Sequence, residues 1–316
     1  MMRSFRRSAI AALLGFGAGI TYREYQKGLE RARARIAADS RVVSTSCGSI
    51  EHAEAGSGRP LLVVHGAGGG FDQGMELGRP LADRFRIIAM SRFGYLRTPL
   101  PRDASAEAQA DAHAALLDAL ETERASIIGA SAGAPSALQF ALRHSDRTER
   151  LVLFVPAAYV PRDRGPSVST PPLVELLSST VLRSDFLFWA ATKLTADTLV
   201  RSILATPPEL LKQASTDEQA RVRRITDSIL PISARRLGLI NDGAICSSLP
   251  RYELEKISAP TLAISFADDL FGTFDAARYT SEHVQNGRFV GYPTGGHLGI
   301  SHQQDVVDKI AAFVGA

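Results

Sequence analysis

Residues 125–143 read ASIIGASAGAPSALQFALR, and within them Gly129-Ala130-Ser131-Ala132-Gly133 fills the pattern G-x-S-x-G. The pentapeptide alone arises easily by chance; its flanks give it meaning. ASII is a continuous apolar run of the kind carried by a strand buried on both faces, and the Ala-rich run after Gly133 favours helix. A strand turning sharply into a helix forces strained backbone angles on the residue at the corner. Small neighbours remove the Cβ clashes that would forbid the turn. The corner lifts the serine hydroxyl clear of the sheet and leaves the Ala132 amide at a helix N-terminus, where it can meet a developing oxyanion.

Outward from this corner, strand-like runs recur at 42–46, 50–55, 61–64, 86–90, 151–155, 261–266 and 288–292, with helical segments between several of them, most clearly 104–121 and 132–143. The alternation predicts a mostly parallel, doubly wound α/β sheet built from residues 42–156 and 253–316. Between 157 and 252 the alternation breaks. A Pro-rich stretch, VPRDRGPSVSTPP at 160–172, opens the interval, and helical patterns follow at 173–182, 184–194 and 208–229. Lying between two core strands, this interval reads as a helical cap inserted over the carboxyl ends of the strands, where such sheets place ligands.

A serine nucleophile needs a base, and the base needs an orienting group. Gly295-Gly296-His297 follows the last strand-like run, where a loop can carry an imidazole back over the sheet. The preceding strand ends in Ala267-Asp268-Asp269. Two adjacent carboxylates cannot both face one imidazole from that turn; Asp269 is the favoured acid and Asp268 the alternative. His65-Gly66-Ala67-Gly68-Gly69-Gly70 follows the strand LLVV. Its small residues permit a backbone amide to approach a substrate, with Ala67 or Gly68 as donor beside Ala132. His65 itself reads as a residue that pins this loop by hydrogen bonding, and His302 as structural.

The order HG-x-G, G-x-S-x-G, strand-end Asp and G-x-H over residues 48–316 resembles the α/β-hydrolase superfamily. The resemblance implies that Ser131 attacks a carbonyl, His297 moves its proton, Asp269 steadies the imidazolium, and Ala132 with Ala67 or Gly68 holds the oxyanion. A serine at the corner disfavours the branches that use an aspartate nucleophile. Relatives that cleave carbon–carbon bonds of dienoates usually carry Trp after the histidine, whereas this chain has Leu298. The HGGPG signature of proline iminopeptidases is absent. These features predict a serine hydrolase acting on a carboxylic ester, lactone or thioester. Carbon–carbon bond hydrolysis, cofactor-free perhydrolysis and non-catalytic ligand binding are the alternatives. Arg92, in Ser91-Arg92-Phe93-Gly94-Tyr95, reads as a structural ion-pair member rather than a substrate clamp. Phe186, Phe188 and Trp189 leave two readings open, an acyl pocket or packing between cap helices. Asp111 and His113 are assigned to a solvated helix face.

Composition sets limits on partners. Residues 1–40 carry eight Lys or Arg against three Asp or Glu, so the net charge of +3 belongs to the N-terminal tail and the rest is slightly acidic. No basic stripe with interleaved aromatics appears in the globular part, which argues against nucleic acid. The expected partner is a small-molecule acyl substrate, and no sequence feature fixes the oligomeric state. Cys47 and Cys246 have neither CxxC nor Cys/His ligand spacing, so no metal site, cofactor motif or disulfide scaffold is expected, and both read as small hydrophobes in the fold. Residues 1–41 are read apart from the catalytic domain. An apolar run at 9–20 is short for a spanning helix, and residues 9–22 are expected to associate with a membrane. A cleaved export signal and a soluble helix are the alternatives, and sidedness stays open. Residues 22–38 read as an exposed Arg-rich linker helix lying on anionic lipid.

Overall fold

The computed structural model describes residues 2–161 and 180–316, with side chains described from residue 19 onward. The Pro-rich opening at 160–172 and the predicted helix at 173–182 therefore lie largely outside the described residues, as do the side chains of most of the apolar run at 9–20.

Eight strands form one sheet: β1 (Arg41–Thr45), β2 (Gly48–Ala55), β3 (Arg59–Val64), β4 (Phe85–Met90), β5 (Ala125–Ala130), β6 (Thr148–Phe154), β7 (Thr261–Phe266) and β8 (Gly287–Tyr292). Their order is β1-β2-β4-β3-β5-β6-β7-β8. The β1–β2 and β2–β4 pairings are antiparallel and the rest are parallel. Every residue of β5 and β7 is buried, as their apolar runs require. The period of two is visible in the packing. Leu62, Val64, Ile88 and Met90 join the core on one face, with α3 (Ala106–Ala119) and α4 (Ala134–Arg143). Leu61, Val63, Ile87 and Ala89 join the core on the other, with α2 (Phe71–Gly78) and the C-terminal helix Gln303–Gly315.

Between β6 and β7 the chain leaves the sheet for a set of helices, referred to below as the cap, among them Asp185–Leu194, Ala196–Ser202, Thr216–Ser228 and Arg236–Cys246. The cap has its own buried cluster, including Phe188, Val200, Leu204, Val222, Ile229 and Ile232. The helix expected at 208–229 is broken into Pro208–Gln213 and Thr216–Ser228. Ser215 accepts a hydrogen bond from the Glu218 amide at 3.3 Å, which starts a new helix and ends the old one.

The N-terminal helix α1 (Met2–Ala38) departs from its expected exposed state. Leu29 and Ala32 are buried, and Arg35 donates to the Ser228 and Leu230 carbonyls at 3.1 and 2.7 Å. One face of residues 22–38 is thus covered by the cap rather than free for lipid. Phe186 and Trp189 serve that docking: Tyr25 meets Phe186 edge-on at 5.2 Å and Trp189 at 5.7 Å. Neither ring lines the cavity that holds Ser131, and Phe188 packs inside the cap, so the acyl-pocket reading of these three residues is withdrawn. Among the described residues no helix is long and apolar enough to cross a membrane.

Two further expectations need correction. Cys47 is exposed, while Cys246 is half-buried. His113 is wholly buried instead of solvated: its Nε2 lies 3.0 Å from Ser136 Oγ and its Nδ1 2.9 Å from Met90 Sδ. Asp111, two residues earlier, does face outward and pairs with Arg143 and His144. The helix is shielded on more of its circumference than the local charge suggests, because α4 packs along it.

Burial pushes the His113 imidazole down from 6.5 to about 3. The folded imidazole stays neutral where the unfolded one takes up a proton. The unfolded state therefore binds more protons below about 6.5, and stability falls with pH until about 3. His113 alone should cost about 2 kcal/mol between pH 6.5 and 5. Thermal melts of the wild type and His113→Leu across this range should show a shallower acid loss in the variant. Parallel curves would contradict the assignment.

Candidate active site

The loops that follow β3, β5, β7 and β8 converge at the carboxyl edge of the sheet. They carry the sequence-predicted groups: Ala67 and Gly68 after β3, Ser131 and Ala132 after β5, Asp269 after β7 and His297 after β8. Ser131 has φ +48, a left-handed conformation uncommon for a residue with a side chain. The strain is tolerated because the turn is held by close packing. A Cβ on Gly133 would sit 2.6 Å from the His65 carbonyl oxygen, so only glycine lets the β3 and β5 loops approach this closely. A short 3-10 turn, Ser131–Gly133, precedes α4, and Pro135 occupies the first helical turn, where its missing N–H costs nothing.

His297 Nε2 lies 2.9 Å from Ser131 Oγ, and His297 Nδ1 lies 2.8 Å from Asp269 Oδ2. An ionised carboxylate only accepts, so Nδ1 carries the proton and Nε2 is left to accept from the serine hydroxyl. The Asp269 side chain has no exposed surface. It also accepts from Thr273 Oγ1 and, at 2.9 Å, from the Phe271 amide. Burial alone would raise its pKa, but His297, Thr273 and the Phe271 amide together hold it below the usual carboxylate range. Asp268 is used differently: its Oδ1 accepts from the Gly296 amide at 2.7 Å, which fixes the loop that carries His297. The two carboxylates left open by the sequence therefore divide the work, with Asp269 alone facing the imidazole.

The β3 loop is held from below. His65 Nδ1 lies 2.7 Å from the Gly66 carbonyl oxygen, and the Arg92 amide donates to His65 Nε2 at 2.9 Å. That pair of contacts requires a neutral ring protonated on Nδ1. Burial, reinforced by the neighbouring Arg92 cation, holds His65 well below its ordinary range. The Gly68 amide donates to Tyr95 Oη at 3.2 Å. Gly68 is thereby occupied as a donor, which leaves Ala67 as the candidate to act with Ala132. Arg92 forms a two-pronged buried pair with Asp242 of the cap, at 2.6 and 2.7 Å, in keeping with a structural role. His302 packs against Phe266 and Tyr292 at the start of the C-terminal helix, also structural.

Ser131 and His297 open into a cavity of about 340 Å³. Its walls include Leu182, Leu204, Ile225, Ile229 and Leu239 from the cap and Leu77, Val306 and Ile310 from the core. Among the described residues its charged lining is already engaged. Arg221 forms a pair with Glu218 at 2.6 Å and donates to the Leu298 carbonyl at 2.9 Å, and Glu76 faces Arg224 at 3.7 Å. Among the described residues no cluster of His, Cys, Asp and Glu could hold a metal ion. Thr273 and Ala205 had no signal in the sequence. Ala205 offers its carbonyl to the Leu270 and His297 amides at 3.0 and 3.4 Å, tying the acid and base loops to the cap.

Residues 59–301 match the family described as the alpha/beta hydrolase fold, and the chain belongs to that family. A 2-hydroxymuconate semialdehyde hydrolase of a Pseudomonas strain is 39% identical over 105 residues, which is 32% of this chain and 37% of that protein. A 2-hydroxy-6-oxononadienedioate/2-hydroxy-6-oxononatrienedioate hydrolase of Paraburkholderia xenovorans is 29% identical over 268 residues, covering 78% of this chain and 84% of its own length. Among solved structures, an alpha/beta hydrolase fold protein from Nakamurella multipartita superposes with a TM-score of 0.68 at 26% identity, covering 87% of this chain and 98% of that one. An esterase from Exiguobacterium antarcticum has the same TM-score at 18% identity, covering 87% of this chain and 99% of its own, a likeness of fold.

Proposed function

We propose that the chain is a serine hydrolase that cleaves a carboxylic ester, lactone or thioester with a modest apolar acyl group, through an acyl-enzyme. What carries the reading is the unbroken hydrogen-bonded path Ser131–His297–Asp269, at 2.9 and 2.8 Å, opening into a cavity walled mostly by apolar side chains. Ser131 Oγ attacks the carbonyl carbon as His297 Nε2 takes the hydroxyl proton. The oxyanion is met by the Ala67 and Ala132 amides, donors fixed in place before the reaction. Collapse breaks the bond to the leaving group, which takes its proton from His297. Water then repeats the sequence and releases the acid. Asp269, held ionised, keeps the imidazole in the tautomer both halves need.

The named activities of the two relatives favour carbon–carbon bond hydrolysis as the second reading. A dienoate brings a carboxylate, and a carboxylate entering an apolar cavity needs a partner cation. Among the described residues Arg221 is the cation on the cavity wall, and Glu218 and the Leu298 carbonyl already occupy it. The ester reading is therefore placed first. Steady-state kinetics on p-nitrophenyl acetate and butyrate, beside a 2-hydroxy-6-oxo dienoate, separate the two. The ester reading expects kcat/KM of about 10⁴ M⁻¹s⁻¹ or more on the butyrate and little turnover of the dienoate. The reverse preference would overturn it.

A further inference from the structure

Asp242 lies on the cap helix Arg236–Cys246, far from the candidate nucleophile in sequence, and is buried. Its carboxylate accepts two hydrogen bonds from Arg92, at 2.6 and 2.7 Å, and one from Tyr95 Oη at 2.5 Å. Both partners reach on to the loop after β3. Arg92 donates to the His65 carbonyl at 2.9 Å and the Gly66 carbonyl at 3.2 Å, and Tyr95 Oη accepts from the Gly68 amide at 3.2 Å. Tyr95 has one hydroxyl proton. Since it is given to Asp242, a lone pair of the same oxygen faces Gly68.

The consequence for Ala67 follows from peptide geometry. In a planar trans peptide, C=O and N–H point in opposite directions. The Gly66 carbonyl and the Ala67 amide belong to one such unit, so a guanidinium gripping Gly66 O turns the Ala67 N–H the other way. The next unit is held through its Gly68 N–H. The two peptides that flank Ala67 are thus both held by groups that end on Asp242, the Gly66 carbonyl being shared with His65 Nδ1 at 2.7 Å. The cap also holds the far end of the loop: Arg235, wholly buried, donates to the Gly69 carbonyl and pairs with Asp72 at 2.7 Å. The cap helix approaches Tyr95 this closely because position 238 lacks a side chain; a Cβ there would lie 2.1 Å from the ring.

We infer that Asp242 is a positioning residue through which the seated cap aims the Ala67 amide at the oxyanion, so that cap attachment sets the chemical step as well as the shape of the pocket. The inference rests on the acyl-transfer reading above. It predicts that loss of Asp242 affects the tetrahedral state more than substrate binding. The test is kcat per active site on p-nitrophenyl butyrate for the wild type, Asp242→Asn and Tyr95→Phe, with sites counted by fluorophosphonate titration. Counting sites removes any loss due to unfolded enzyme. Misaiming one oxyanion donor should lower per-site kcat about tenfold or more while KM stays within about twofold. Affinity for a phenylboronic acid, which forms a tetrahedral anion on the serine, should fall in step with kcat.

Unchanged per-site kcat in a folded Asp242→Asn enzyme would overturn the inference, as would a loss confined to KM. If Asp242→Asn does not fold, Tyr95→Phe decides by the same criteria, because it removes only the hydroxyl that links Gly68 to Asp242. A wild type that neither labels nor turns over would instead sink the acyl-transfer reading itself. The two failures are therefore distinguishable.

Discussion

Ser131→Ala should reduce ester turnover by about 10⁴- to 10⁶-fold without unfolding the protein. In the proposed mechanism the loss is large because Ser131, His297 and Asp269 act as a unit: without the nucleophile, the base and its orienting acid have nothing to activate. The fold should survive because alanine removes one oxygen and leaves the turn in place. Gly66 still packs against the Cβ that alanine keeps, and Gly133 still packs against the His65 and Val64 carbonyls. Positive φ at position 131 persists in the variant and costs about as much for alanine as for serine. Turnover within tenfold of wild type would show that the nucleophile lies elsewhere.

The second large effect separates the two adjacent carboxylates. Asp269→Asn should lower kcat about 10⁴-fold. An amide at this position can donate to His297 Nδ1, which favours the tautomer that presents Nε2–H to Ser131, and such a ring cannot take the serine proton. Asp268→Asn keeps an oxygen able to accept from the Gly296 amide, so its loss should stay within about tenfold. Assaying both variants on one ester decides the matter; equal losses would mean that the acid is misassigned. The pH dependence has a defined sign. The folded pKa of Asp269 lies below its ordinary value of 3.8, so its charge contributes stability above that value and the contribution is lost only as pH falls through the lowered one. Mild acid should leave this carboxylate ionised.

What the chain discloses without coordinates follows from which signals are local. Gly129 to Gly133 sits between a buried strand and a helix, and the sharp turn has few other solutions. Once Ser131 is placed, a candidate base and acid are sought at the ends of later strands, and His297 and Asp269 stand there. The choice between Asp268 and Asp269 needed the structure, since adjacent side chains in a turn diverge in ways that spacing does not encode. His113 was misread because its neighbour Asp111 is solvated, and sequence does not reveal how far α4 wraps the helix. The break at Ala214 was readable: Ser215 caps the second helix by accepting from the Glu218 amide, a signal that a longer helical pattern concealed. Arg92 and Asp242 lie too far apart for any sequence pattern to pair them. The docking of α1 on the cap was equally hidden, because Arg35 satisfies backbone carbonyls that carry no residue-type signature.

The central claim is that Ser131 is an activated nucleophile, and covalent labelling tests it most directly. A fluorophosphonate should react with the folded protein in a one-to-one ratio, and peptide mass spectrometry should place the adduct on the segment carrying Ser131. Ser131→Ala should give no adduct. A folded wild type that stays unmodified, or an adduct that persists in Ser131→Ala, would contradict the account.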